Sequence, residues 1–213
     1  MGTFKKGILG GFSGKVGTVI GSNWRGLDVM RSLPKKSGAN PTQQQLEQRQ
    51  KFALTTSFLS PLTALLSAYF GNASGTSSRL NNAMSYHIKE AITGVSPDFE
   101  IDFTKVVISK GEIIAAKDAV MTTPLPSAVQ IDWANNSGQV LAEATDTSVV
   151  VLFNVDKGQF VVDQGSATRQ TSTVSIVLPA TFTGDTVHAW LSFVDSAQKK
   201  ASSSVYLGTV VVG

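Results

Sequence analysis

The chain has 213 residues, of which 42% are hydrophobic and only 15% charged, with a formal net charge of +3 and no cysteine. That length supports one large domain or a main domain with an appendage, and the composition is that of a folded chain rather than a disordered one. The missing cysteine excludes a disulfide framework, a thiol nucleophile and a Cys-based zinc site.

The net charge hides a division. Residues 1–41 carry Lys5, Lys6, Lys15, Arg25, Arg31, Lys35 and Lys36 against one acid, Asp28, whereas eleven bases face fourteen acids in the remainder. Such asymmetry bears on partners rather than on fold. No uninterrupted apolar run reaches the roughly 18 residues that crossing a bilayer requires. The stretch Gly7 to Phe12 behind Lys5 and Lys6 is too short and too glycine-broken for a signal peptide, and Lys6 stands where a myristoylation signal wants Ser or Thr. The expectation is cytoplasmic synthesis without a signal peptide and no membrane span, with any release in a particle or filament.

The opening is glycine-punctuated at Gly2, Gly7, Gly10, Gly11, Gly14, Gly17, Gly21 and Gly26. Glycine inside a strand-like run marks a bulge, a turn or another backbone lying close. Val16, Thr18 and Ile20 alternate with Lys15, Gly17 and Val19, which predicts a strand over Lys15 to Ile20. Gly21-Ser22-Asn23 then reads as a turn and Leu27 to Ser32 as the returning strand. A lone hairpin is marginal in water and needs a surface to lie on.

Asn40-Pro41-Thr42 opens a helix, with Asn40 as N-cap and Pro41 at the first helical position. Leu46, Ala53 and Leu54 share a face that Phe52 and Phe58 widen. Pro61 interrupts, and Leu62, Leu65, Leu66 and Tyr69 continue a second short helix. Leu80, Met84, Ile88 and Ile92 mark a third, stopped by Gly94 and Pro97. From Phe99 the apolar period changes from about 3.6 to 2. Phe99, Ile101 and Phe103 alternate with Asp98, Glu100 and Asp102, and Lys110-Gly111 turns into a strand over Glu112 to Ala116. Further strands are expected at Ala128 to Trp133, Ser148 to Asn154, Gln159 to Asp163, Thr173 to Leu178, Val187 to Val194 and Ser204 to Val212. Their spacing, with turn residues between, predicts an antiparallel sandwich.

Catalytic motifs fail one by one. Gly11-Phe12-Ser13-Gly14-Lys15 approaches a nucleophile elbow but ends on lysine, no dinucleotide-binding glycine spacing occurs, and Gly14-Lys15 precedes Val16 with Leu9 where a P-loop needs glycine. His87 and His188 are the only histidines, and neither has a ligand-spaced partner. Asp98, Glu100 and Asp102 line one strand face without an EF-hand loop around them, which reads as an acidic solvent face. Trp133, Trp190 and Phe193 offer a sugar platform on paper, but alternating strand aromatics are more often core.

Gly11-Phe12-Ser13-Gly14-Lys15-Val16-Gly17, Trp24-Arg25-Gly26, Arg31-Ser32-Leu33-Pro34-Lys35, then Thr42-Gln43, Arg49 and Lys51-Phe52, resemble an uncharacterised protein family of Bacteroidota, a domain of unknown function. The resemblance covers the whole chain and implies a bacterial or phage origin; it brings no activity or site. Asp132-Trp133, the Val187 to Val194 strand and its return through Ser202 to Val212 resemble an immunoglobulin or fibronectin type III sandwich, which by itself implies no function.

The expected fold class is α+β, mainly β: a basic β-hairpin arm over 1–39, two to three short helices over 40–96, and an antiparallel Ig-like β-sandwich over 97–213. The expected role is non-enzymatic: a self-assembling subunit of a phage-like particle, tail or filament, with the hairpin pairing strands across a subunit boundary. Lys5, Lys6, Lys15, Val16, Ile20, Trp24, Arg25, Arg31, Lys35 and Lys36 are the residues expected to carry subunit contact or polyanion binding. No catalytic residue, cofactor or metal is expected. Copies of the chain are the expected partners, with other particle proteins beside them. Nucleic acid is less favoured because no recognised binding fold surrounds the charge. The alternative is a carbohydrate- or surface-binding module on the sandwich.

Overall fold

The structure, a computed structural model, describes residues 2–4, 10–24, 26–35, 40–73 and 77–213. Two compact units emerge, Met1–Thr42 and Gln43–Gly213.

The first unit is an antiparallel sheet in chain order: β1 (Gly2–Phe4), β2 (Phe12–Val16), β3 (Val19–Trp24) and β4 (Leu27–Ser32). It corrects the single strand expected from Lys15 to Ile20. The chain reverses at Gly17-Thr18, so that Lys15 faces Ile20 and Val16 faces Val19 across β2 and β3. Two-residue hairpin loops that match sheet twist want a left-handed first central residue, and Gly17 supplies it at φ +59°. The apolar alternation runs straight through that turn, which hides it. The turn expected at Gly21-Ser22-Asn23 is also corrected: those residues lie inside β3, and the reversal into β4 comes at Gly26, with φ +85°. Gly21 does mark a close backbone, but one within the same sheet. A Cβ there would overlap the Phe12 carbonyl oxygen of β2.

The second unit begins with α1 (Gln43–Leu59), a 3-10 turn (Ser60–Leu62), α2 (Thr63–Tyr69) and α3 (Arg79–Glu90). Taken together, residues 43–69 are long and apolar enough to cross a bilayer by length and composition. Here their buried side chains, among them Phe58, Leu59, Leu62, Leu65 and Leu66, enter a protein core. On α1 the predicted apolar face is largely solvent: Leu46 and Phe52 are exposed, and burial begins at Thr55, Phe58 and Leu59. Ser78 caps α3 by accepting from the Asn81 amide, as short hydroxyl side chains do. A small hairpin of β5 (Ile92–Val95) and β6 (Asp98–Ile101) follows. Ile92, expected on the third helix, belongs to β5.

Next come β7 (Lys117–Leu125), β8 (Ala128–Ala134), β9 (Thr147–Asn154), β10 (Gln159–Thr168), β11 (Thr173–Val177), β12 (Thr186–Val194) and β13 (Val205–Val211). They form two antiparallel sheets, β10-β9-β12-β13 and β11-β8-β7. Four strands against three, with successive strands crossing between sheets, is the arrangement of an immunoglobulin or fibronectin type III sandwich. The predicted strand over Glu112 to Ala116 is corrected: Ile113 makes only an isolated bridge to Ser202, and the first sandwich strand is β7.

The helices form a third layer. Val149, Val151 and Phe153 of β9 meet Phe58, Leu62 and Leu66 on one side of the four-stranded sheet, while Val150 and Leu152 meet Ile131, Val174 and Phe182 on the other. Covered on both faces, β9 reads Val-Val-Val-Leu-Phe rather than alternating.

Two buried polar groups hold this unit in register. Arg169 is fully buried, and its side chain donates to Asp146 (3.1 Å), Asn136 (2.7 Å) and the Ile114 carbonyl (2.8 Å). Its guanidinium lies 4.1 Å from the Phe193 ring centre. His87 of α3 is 2% exposed; its Nδ1 donates to the Ala83 carbonyl (2.8 Å) and its Nε2 accepts from the Val107 amide (3.3 Å). That pairing fixes a neutral ring. Burial lowers its pKa below 6.5, with the Ala83 bond opposing.

A base with a lowered folded pKa binds fewer protons folded than unfolded. Its stability contribution is therefore fully present above the unfolded value of 6.5 and is lost as pH falls toward the folded one. His188, whose pKa is also lowered by burial, acts in the same direction. The thermal midpoint is expected to drop between about pH 7.5 and about pH 5.5, and less so in His87→Gln. A pH-independent midpoint in the native chain contradicts this.

Candidate functional site

In β2, β3 and β4, strand pairing decides which side chains share a face. Lys15 lies opposite Ile20, which lies opposite Arg31; Ser22 lies opposite Val29, and Trp24 opposite Leu27. With side chains alternating along each strand, these residues project from one face. That face carries Ile20, Trp24, Leu27 and Val29 with Lys15 and Arg31 as a cationic row at one end. Leu27 is 62% exposed and Trp24 48%. Val16 and Met30 project from the opposite face, at 50% and 69% exposure.

Among the described residues of this unit only Gly21 is buried. Among the described residues, the sheet shows this many exposed apolar side chains and no buried one, which is unlike a finished domain surface. The far end of β3–β4 is held by Asn23, whose side-chain amide donates to Asp28 (3.0 Å) while its oxygen accepts from the Gly26 amide (3.0 Å). All six residues of β4 are exposed, and β4 is the last strand of its sheet. Such an edge offers unpaired backbone groups to another strand.

The structure thus brings Lys15, Ile20, Trp24 and Arg31 onto one face and places Val16 on the other. Lys35 is exposed just beyond β4. Lys5, Lys6, Arg25 and Lys36 lie outside the described residues. Leu27, Val29 and Met30, which complete the apolar surfaces, were absent from the sequence-based set. The strand assigned over Leu27 to Ser32 could have found them once its pairing register with β3 was known.

The other sequence candidates are engaged elsewhere. Ser13 sits in mid-strand opposite Thr3, not on the sharp strand-to-helix turn of a nucleophile elbow. His188 Nδ1 is 2.7 Å from the Tyr206 hydroxyl. Asp102 caps the Thr104 amide and pairs with Lys105 at 3.3 Å. Its carboxyl is held below the usual range, first by the Thr104 hydroxyl. No group of three potential metal ligands converges among the described residues. Trp133, Trp190 and Phe193 are core side chains, at most 4% exposed, and form no platform.

In the second unit an aromatic groove of about 490 Å³ lies where α1, β6 and the β9–β10 hairpin meet. Phe58, Phe153 and Phe160 form its floor, with ring centres 4.5 to 5.2 Å apart. Phe99 and Glu100 stand at its side, and the Lys51 ammonium lies 4.8 Å from the Phe99 ring centre.

Comparison with known proteins gives one family and several structures. The profile of a family described as a family of unknown function, DUF6266, matches residues 11–208. The match thus spans both units. No curated protein matches the chain. Similar solved structures include the fn3 domain of human collagen alpha-1(XX) chain, at 14% identity and TM-score 0.36, covering 47% of this chain and 86% of that one. The fn3 domain of human contactin 1 is 11% identical with TM-score 0.34, covering 49% and 83%. Likeness at this level adds nothing to the strand order already described.

Proposed function

The chain belongs to the DUF6266 family, and for it we propose a non-enzymatic, self-assembling role in which the N-terminal sheet joins copies of the chain. One observation carries the reading: the sheet leaves Ile20, Trp24, Leu27 and Val29 beside Lys15 and Arg31 on one face, and ends on a fully exposed edge strand, β4. Strand addition at β4 supplies backbone hydrogen bonds, and the apolar face supplies side-chain burial worth about 1.5–3 kcal/mol for each large residue fully covered. Residues 1–41 are net basic and the remainder is net acidic, a division that favours copies meeting head to tail. A particle, tail or filament subunit of bacterial or phage origin is the concrete form of this role.

The test is substitution on the exposed face. Leu27→Asp with Val29→Asp removes two apolar contacts and adds charge, and is expected to weaken self-association by roughly a hundredfold or more. Sedimentation velocity reads this directly. Unchanged association in the double variant rejects the proposal.

The aromatic groove favours a second reading, a surface-binding module that stacks rings against a sugar or another apolar group. A glycan array separates the two, since assembly through β4 expects no hits.

A further inference from the structure

A second concavity in the unit Gln43–Gly213 has the opposite character to the aromatic groove. Of about 280 Å³, it lies where α2 meets the start of α3, the bend at Lys110–Glu112 and the β12–β13 connection. Arg79, Lys110, Lys199 and Lys200 line it against a single acid, Glu112. These are four of the eleven bases in a unit that is net acidic. Backbone bonds lace together the end of α2, the bend at Lys110–Glu112 and the β12–β13 connection.

The Gly71 amide donates to the Lys110 carbonyl (2.6 Å), the Lys110 amide to the Tyr69 carbonyl (3.0 Å), and the Ile113 amide to the Ala201 carbonyl (3.2 Å). Gly111 permits the last approach: a Cβ there would overlap the Ala201 carbonyl oxygen. Asp195 accepts from the amides of both Lys199 and Lys200, at 2.7 and 2.8 Å, and so sets the loop that bears them.

The side chains are also placed. Arg79 is half-buried, with its guanidinium donating to the Ala68 carbonyl. The Lys110 ammonium lies 5.8 Å from the Tyr86 ring centre. Only Lys200 meets the acid, at 3.6 Å from Glu112. Arg79, Lys110 and Lys199 have no carboxylate within ion-pair distance among the described residues. A concave site with three uncompensated positive charges concentrates anions.

We infer that this cavity is a binding site for a phosphate group. Guanidinium and ammonium donors together match a tetrahedral dianion. At about 30 Å³ per water, the volume exceeds that of a bare phosphate, so a phosphomonoester fits as well as the free ion. This inference does not depend on the assembly reading.

The experiment is an amide chemical-shift titration of the full chain with inorganic phosphate and, separately, glycerol 3-phosphate, each against sodium chloride at equal ionic strength. Saturable shifts are expected at Gly111, Glu112 and Lys199 to Ala201. Tighter binding of glycerol 3-phosphate assigns the site to an esterified phosphate, and equal or tighter binding of the free ion assigns it to inorganic phosphate. Lys110→Ala with Lys199→Ala, both at exposed positions, is expected to weaken binding about tenfold or more. Glu112→Gln, which removes the acid lining the cavity, is expected to tighten it. That gain is not expected of a merely structural cluster. Shifts no larger than those from chloride, shifts centred elsewhere, or affinities unchanged in these variants overturn the assignment.

Discussion

Replacing Arg169 by alanine is expected to destabilise the unit Gln43–Gly213 by about 3–5 kcal/mol, because it strands a buried carboxylate. Asp146 is 2% exposed, and among the described residues its side chain otherwise accepts only from the Glu143 amide, at 3.0 Å. The same substitution leaves the Asn136 side-chain oxygen and the Ile114 carbonyl without the donor they share, while the Asn136 amide keeps its bond to the Ala115 carbonyl. These losses fall at the ends of β8, β9 and β10, where the connections cross between sheets. Asp146→Ala leaves an unpaired buried guanidinium and should cost a similar amount. The double replacement should cost clearly less than the sum, since each partner's desolvation is the main penalty once the other is gone. Urea unfolding of the four species measures the cycle. A loss below about 1 kcal/mol for Arg169→Ala would show that water or neighbouring side chains take over its contacts.

The second large effect is on assembly. Removing residues 1–36 is expected to leave the rest folded, because the buried residues of both hydrophobic cores lie between Phe58 and Val212. Its thermal midpoint should stay close to that of the full chain. Self-association should vanish, since the face that carries half-buried Ile20 and exposed Trp24, Leu27 and Val29 goes together with the β4 edge. A truncated chain that keeps the same oligomers would place the contact on the sandwich or the helices.

How much of this was legible in the sequence follows from what each element packs against. The sandwich strands β8 to β13 were placed within a few residues, β10 running on past the expected Asp163, because proline, glycine and turn residues bracket apolar runs. The third helix was found through Leu80, Met84 and Ile88, although Ala83 and His87 are its buried residues. β7 was missed because Val120 and Leu125 point to solvent and its register shifts twice along β8. Apolar periodicity tracks a core face, and β7 has little of one. In the first unit, the Val16, Thr18, Ile20 alternation concealed a two-residue turn.

The basic opening was legible as charge, but its usable surface was not. Which of its residues share a face depends on the register Lys15–Ile20–Arg31, and a one-residue slip would have exchanged the faces. The Arg169 cluster left no trace in sequence spacing. Its members, Ile114, Asn136, Asp146 and Arg169, are far apart in the sequence and are brought together only by the fold.

The most direct measurement is the molar mass of the intact chain by light scattering across a concentration series. The proposed role predicts a mass that is a multiple of 22.5 kDa and that falls to the monomer's when residues 1–36 are absent. A mass of 22.5 kDa for the intact chain at every concentration would contradict it.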